Sequence, residues 1–518
     1  MLDGPRHAAL LIIIAILTAA ARASVPPTIA AAAVAAFAGR SLTISGAGFG
    51  EPARASALVV TRGRDARRIP SSAGEITSWS DRQIVVRLPA NARSGRFRVE
   101  TAAGASRDVR LEIYQYDWFD IPPTPGTNAL PLALARAADG TLWINQEFHL
   151  DLQRFDPATR RVSAIPIPRP AMPGPFALSM LGTDIRTQIS GAGEDVILDP
   201  GGHVWFTQGG GYLYSGKHAN HSRVVRYDPT AAEPDRFRVY NVPGDWNQVI
   251  GLAWDARRRR LWFAEGGLER GRTIVSFDPE RVRWDNAFDF SRPLDDQICR
   301  RSGPYDDCFR VYELPEGSRQ PAHLALDRNG RVWYTAFWGN RVGRLDPESG
   351  AVLEYPLPRT VSTAKPAETL GTGPWQIALA PDGDIAFNTH FDATIGRFET
   401  ARAADRACLS LDGSGHNPCI REIADTGIDV ARDFMHSIAF ATDGRLWFTE
   451  HGPQEGPTAA SLGFVTPDWR AVVRLPPLAD FTGDGNAAAT GLAIDPRTGD
   501  VWFCEFWRRR IGRLHRVD

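Results

Sequence analysis

Short apolar runs alternate with turn residues along most of the chain, at the period of β-strands rather than helices. The pattern is clearest in Phe434-Met435-His436-Ser437-Ile438-Ala439-Phe440, followed by the turn Asp443-Gly444 and then Leu446-Trp447-Phe448-Thr449-Glu450-His451. This reads as a β-hairpin. The core of its second strand recurs as Leu142-Trp143-Ile144, Val204-Trp205-Phe206, Leu261-Trp262-Phe263, Val332-Trp333-Tyr334, Ile385-Ala386-Phe387 and Val501-Trp502-Phe503, making seven copies. Most copies follow an apolar strand and a turn, and most precede a third strand such as Val342-Gly343-Arg344-Leu345. Several continue into a fourth, such as Val352-Leu353-Glu354-Tyr355. Four antiparallel strands repeated radially predict an all-β fold, a seven-bladed β-propeller over residues 114–518.

The ends of the repeat imply how the ring closes. The last copy stops after a third strand, Ile511-Gly512-Arg513-Leu514-His515, whereas Tyr116-Asp117-Trp118-Phe119-Asp120-Ile121-Pro122 reads as a fourth strand without a blade. Pairing the two would complete the seventh blade and remove an exposed edge. Successive core positions lie 53 to 71 residues apart, so long loops decorate the ring. Loops on a rigid scaffold are where sites usually sit.

Residues 24–113 carry a different rhythm, with short strands separated by Gly- and Pro-containing turns, and predict a small β-sandwich. The run Leu42-Thr43-Ile44-Ser45-Gly46-Ala47-Gly48-Phe49-Gly50 and the segment Ile76-Thr77-Ser78-Trp79-Ser80-Asp81 resemble IPT/TIG immunoglobulin-like domains. The resemblance implies a spacer or a module that engages a protein partner. Residues 1–23 combine Arg6 and His7 with the apolar run Ala8 to Ala20 and then Ala21-Arg22-Ala23, the layout of a signal peptide. That predicts an exported protein, periplasmic or extracellular, with no stable membrane span. Cys299 with Cys308, and Cys408 with Cys419, are spaced as small disulfide loops, which agrees with export, while Cys504 reads as a buried strand thiol.

Charge narrows the ligand. Lys+Arg 59 against Asp+Glu 60 gives a formal net charge of -1, so no global field steers the protein to nucleic acid, and a small-molecule ligand is expected. In a propeller the start of the innermost strand and the end of the second open onto one face. At the first place stand Leu132, Ala322, Trp375, His436 and Thr490; at the second, Gln146, Gln208, Glu265, Thr389, Glu450 and Glu505. Glu147, His149, His323, Gln376, Asn388, His390 and His451 adjoin them. A polar rim of this kind suits a ligand site. His436 is the one histidine at a strand start, and the hairpin is expected to set Glu450 opposite it. This makes His436 and Glu450 the catalytic candidates, with Trp375, Gln376, His390, His323 and Glu505 as substrate-binding candidates.

The strand, Asp-Gly turn, Trp-Phe-Thr-Glu and Val-Gly-Arg-Leu-Asp-Pro pattern, ending as Tyr355-Pro356-Leu357-Pro358, resembles the virginiamycin B lyase (streptogramin lyase) family of seven-bladed propellers. The resemblance covers roughly Tyr114 to Asp518. It implies a carbon–oxygen lyase that opens an ester or lactone by elimination, assisted by Mg2+ (or Ca2+), and His436 matches the family's general base. Glu450, His451 and Asp433 are then the metal-ligand candidates, while Phe434 and Trp375-Gln376 depart from the family pattern. Two alternatives stay open: a metal-dependent lactone hydrolase using Asn388 and Glu265, and a non-enzymatic extracytoplasmic binding or scaffold protein.

Overall fold

The computed structural model describes residues 25–30, 33–122, 130–147, 151–167, 193–208, 223–233, 235–242, 248–266, 271–282, 308–358, 372–423, 426–428, 433–452, 460–482 and 487–518. The expected signal segment, Cys299 and His149 lie outside these residues. The chain divides into two compact units, Met1–Gln115 with Arg516–Asp518, and Tyr116–His515.

In the first unit two sheets enclose one core. One sheet orders Thr28–Ile29, Ser41–Ala47, Gln83–Arg87 and Ile76–Trp79. The other sets Ala57–Arg62 between Asp65–Pro70 and Gly95–Thr101 and continues through Val109–Asp120. Strand alternation does the sorting: Leu42 and Ile44 point inward from Ser41–Ala47 while their neighbours face out. They meet Ile84, Val86, Leu58, Phe97, Val99 and Leu111 in a single buried cluster.

The second unit is a ring of seven four-stranded blades, six of which are separate antiparallel sheets. Six blades run outward in chain order, from Leu130–Arg136 to Arg161–Pro166, Val196–Leu198 to Phe237–Asn241, Val249–Asp255 to Phe309–Glu313, Pro321–Leu326 to Val352–Pro356, Pro374–Leu379 to Ile420–Ile423, and Phe434–Phe440 to Val472–Arg474. The seventh joins Ala489–Ile494, Val501–Glu505 and Arg510–Arg516 to the end of Val109–Asp120, closing the ring as the chain ends imply. Ile121 N donates to Arg509 O at 2.7 Å, and Arg513 reaches Asp117 at 3.3 Å. Each inner strand packs on the next, and the last on the first.

The repeated residues have repeated packing jobs. Trp205, Trp262 and Trp333 are wholly buried. Trp205 lies against Phe277 of the following blade at 6.4 Å between ring centroids, Trp333 against Phe398 at 5.1 Å, and Trp502 against Phe155 at 5.7 Å. The tryptophans are therefore inter-blade cement. In the last four blades the next residue sits over a third-strand glycine: a Cβ on Gly463 would lie 2.2 Å from the Phe448 ring, and one on Gly512 2.1 Å from that of Phe503. Cys408 and Cys419 form a disulfide. Among the described residues no helix is long and apolar enough to cross a membrane.

Candidate functional site

Six of the seven inner strands slip register near their start, between Pro131 and Ala133, Val249 and Leu252, Pro321 and Leu324, Pro374 and Ile377, Met435 and Ile438, and Thr490 and Leu492. A bulge leaves residues outside the ladder and re-aims their side chains. His323, Trp375 with Gln376, and His436 with Ser437 occupy these slips in the fourth, fifth and sixth blades. Side chains two residues beyond the second-strand core position lock them. Thr335 Oγ1 accepts from His323 N at 3.2 Å and donates to Trp375 O of the next blade at 2.6 Å. Asn388 repeats this, accepting from Gln376 N at 2.7 Å and donating to His436 O at 3.2 Å. Ser437 N in turn donates to Thr449 Oγ1 at 3.0 Å. The backbone beneath the site is thus one hydrogen-bonded relay through three blades.

Above that relay the structure gathers imidazole and aromatic rings. His436 is half-buried, with Nδ1 3.0 Å from Ser437 Oγ, and its ring lies 6.3 Å from Trp375 and 6.1 Å from His451. Phe434 is the spacer, with centroids 4.0 Å from His390 and 4.6 Å from His451. His323 meets the edge of Trp375 at 5.0 Å, and His451 meets Phe506 and Trp507 at 5.3 and 5.5 Å. Trp375 Nε1, His323 Nε2, His390 Nδ1 and His451 Nδ1 are buried without a hydrogen-bond partner among the described residues. Burial pulls His323 and His390 down to about 3 and His436 to about 4, and His451 falls well below its ordinary value. Repulsion from a protonated His436 adds to this in the other three. Near pH 7 all four are neutral.

The expected pairing of His436 with Glu450 is corrected by the register. Glu450 stands across from Met435, and His451 across from Phe434. Successive strand side chains point to opposite faces. The slip after Met435 then brings His436 to the side of His451, leaving Glu450 on the other. Glu450 is wholly buried, and its carboxylate accepts from Arg474 Nε at 2.7 Å and Nη2 at 2.5 Å and from Ser461 N and Oγ at 3.1 Å each. It ties the second strand of its blade to the outer ones. Glu505, equally buried, accepts from Arg508 Nη1 at 3.0 Å, and burial raises its carboxyl to about 8. Asp433 is buried and lies close enough to Glu450 to oppose its ionisation.

The donors around His436 do not suit magnesium. Hard cations take oxygen ligands. Here the neighbours are imidazoles and rings, Phe434 replaces one expected carboxylate, and both oxygens of Glu450 are taken. Asp433, Glu450 and His451 are not gathered to one point: among the described residues, the one trio of such ligand atoms within 4.8 Å is Asp405, Cys408 and Cys419, whose sulfurs are bonded to each other. Asn388 and Glu265, considered for a hydrolase, serve the scaffold: Asn388 is the relay, and Glu265 accepts from Thr273 Oγ1 at 2.5 Å. Sequence comparison of strand ends misses the relay residues Thr335 and Thr449, and finds Asn388 only as a rim residue and hydrolase candidate. Their signal is a Thr or Asn recurring two residues after the core position.

No protein-family model matches the chain, and no curated protein does. Solved structures do. The chain is similar to virginiamycin B lyase from Staphylococcus aureus, at 19% identity and a TM-score of 0.50 over 78% of this chain and 99% of that one. A streptogramin B lyase matches at 20% identity and a TM-score of 0.49, over 78% of this chain and 98% of that one. At these identities the likeness is one of fold: the chain is a β-propeller of the architecture seen in virginiamycin B lyase.

Proposed function

We propose that this protein opens an ester or lactone by elimination, with His436 as the base. The observation that carries this is the state of His436: a neutral imidazole, half-buried on the rim, its Nδ1 held by Ser437 and its Nε2 bonded by no described residue. A ring of this kind can take a proton from a carbon that lies next to a carbonyl and carries the ester oxygen on its neighbour. The C–H electrons become a C=C bond, the C–O bond breaks, and the carboxylate leaves with its electron pair. The Trp375 indole N–H, which lacks an acceptor among the described residues, is a donor free to meet the carbonyl oxygen on which charge develops. Phe434, Phe337 and Phe391 supply apolar walls that exclude water from the proton transfer. No step is routed through a metal.

The fold likeness to virginiamycin B lyase and the match of His436 to that family's base support the reading. The N-terminal apolar run and the Cys408–Cys419 disulfide support export. The test is a panel of lactones and depsipeptide esters assayed in 18O-labelled water. Elimination yields an unsaturated product without solvent oxygen, and yields none with His436→Ala. Label in the carboxylate, with activity that survives His436→Ala, would mean hydrolysis and sink the proposal; turnover of no ester would favour a binding protein.

A further inference from the structure

One corner of the rim takes no part in that chemistry. Glu147 ends the second strand of the first blade, and Glu194 and Asp195 lead into the inner strand of the second. Gly193 lets them meet: a Cβ there would sit 2.4 Å from Gln146 O and 2.7 Å from Asn145 Oδ1, so a side chain would push the segment away. Asn145 Nδ2 pins the approach by donating to Asp195 O at 2.9 Å. Asp195 is spent on the backbone, accepting from Val196 N and Leu252 N at 2.8 Å each.

Glu194 and Glu147 are not spent. Glu194 accepts one bond, from Gln248 Nε2 at 3.0 Å, and Glu147 accepts none among the described residues. Neither meets an arginine or lysine there, whereas Glu450 of the sixth blade and Glu505 of the seventh each hold one. Gln248 is 5% exposed, and its Oε1 is buried with no donor. Among the described residues three neighbouring acceptor groups are therefore short of donors, Glu147 and Gln248 Oε1 with none and Glu194 with one. Burial raises Glu147 to about 7 and Glu194 to about 8, the latter helped by repulsion from Glu147 and Asp195. The carboxyls hold protons in place of the missing cation.

We propose that Glu147, Glu194 and Gln248 Oε1 form a binding site for a protonated amine, so that the ligand of this face carries a primary ammonium group. Three N–H donors answer three acceptors. A small metal ion fits less well, because Glu147, Glu194 and Asp195 do not bring an oxygen each within 4.8 Å of one another. Taken with the rings around His436, the site selects a molecule with an ammonium at one end and an apolar ester or aromatic group at the other. The inference uses the rim as a ligand face and does not depend on elimination.

The experiment is calorimetric titration of the full chain with phenethylamine and with 2-phenylethanol, which differ in the ammonium. The amine is expected to bind about tenfold tighter, the worth of a charge-assisted hydrogen bond. Repeating it near pH 7 in two buffers of different ionisation enthalpy should show protons released as the amine displaces them from Glu147 and Glu194. Among the described residues the other titratable groups facing the corner are Asp195 and, 3.9 Å from it, His323. Glu194→Gln and Glu147→Gln, which keep the side-chain shape, should lower the preference and the proton release. His436→Ala should keep both, so a failure of the elimination reading shows in lactone turnover and not here. Equal affinity for amine and alcohol, a preference unchanged in the Gln variants, no proton release in the unaltered protein, or no binding of either compound at millimolar concentration would each overturn the proposal.

Discussion

Two parts of one rim meet the same problem, ionisable groups crowded in a low-dielectric concavity, in opposite ways. On the first two blades Glu147, Glu194 and Asp195 are pushed up to between about 7 and about 8, so that they shed charge by keeping protons up to about neutral pH. On the fourth to sixth blades His323, His390, His436 and His451 are pushed down and become neutral by giving theirs up. Glu450, on the sixth blade, is instead tied to Arg474 and serves as a strut. The difference teaches where to look for function. A buried charge with a partner in its own blade is architecture; a buried group that has surrendered its charge for want of a partner is set up to meet one from outside.

The comparison can be broken most sharply at His436. If the imidazole side does the chemistry, His436→Ala should lower kcat for an opened lactone by roughly 100-fold or more, while Glu194→Gln acts mainly on KM; steady-state kinetics of both variants decide. Strut and site should separate next in stability. Arg474→Ala leaves Glu450 buried and unpaired and should cost on the order of 3 kcal/mol, measured by denaturant unfolding. His436→Ala, which breaks no ion pair, should cost clearly less.

Phe434→Glu would erase the contrast by placing a carboxylate between His390 and His451. The histidine titrations read by NMR should then move up by about a unit or more; unmoved values would mean that the new carboxylate faces elsewhere. The smallest effect is the pH dependence of stability. The histidines, at 6.5 unfolded and about 3 to 4 folded, contribute stability that is lost as pH falls below 6.5. Glu147 and Glu194, at 4.5 unfolded and about 7 and 8 folded, contribute stability that is lost as pH rises through those values. The two slopes oppose each other below 6.5, and only the acidic side acts above it. The Tm should therefore decline from pH 6.5 to about 8, and Glu194→Gln should flatten that decline.

Much of the ring is legible in the chain. The second-strand cores mark seven blades, and third-strand glycines the last four, because each packing contact is made by residues at fixed offsets, and Tyr116–Ile121 announces its pairing by lacking a blade. The site is less legible. Glu450 and His451 are neighbours in sequence and differ only in which face of the strand they take, and the slip between Met435 and Ile438 decides which of them His436 meets. The corner at Glu194 escapes a comparison of strand starts because the second blade's inner strand, Val196–Leu198, is three residues long and gives that comparison little to align.

The sequence by itself determined the strand period, the number of blades, the residue types on the rim and the singular position of His436. These follow from local alternation and repetition, which act over a few bonds. Tertiary structure alone decided that Glu450 belongs to Arg474, that Phe434 sits between the imidazoles of His390 and His451, and that Glu147 and Glu194 lie close together without a cation among the described residues. Those outcomes depend on register slips and on contacts between blades some fifty residues apart, where burial and the charge of a distant neighbour, rather than residue type, set the state of each group.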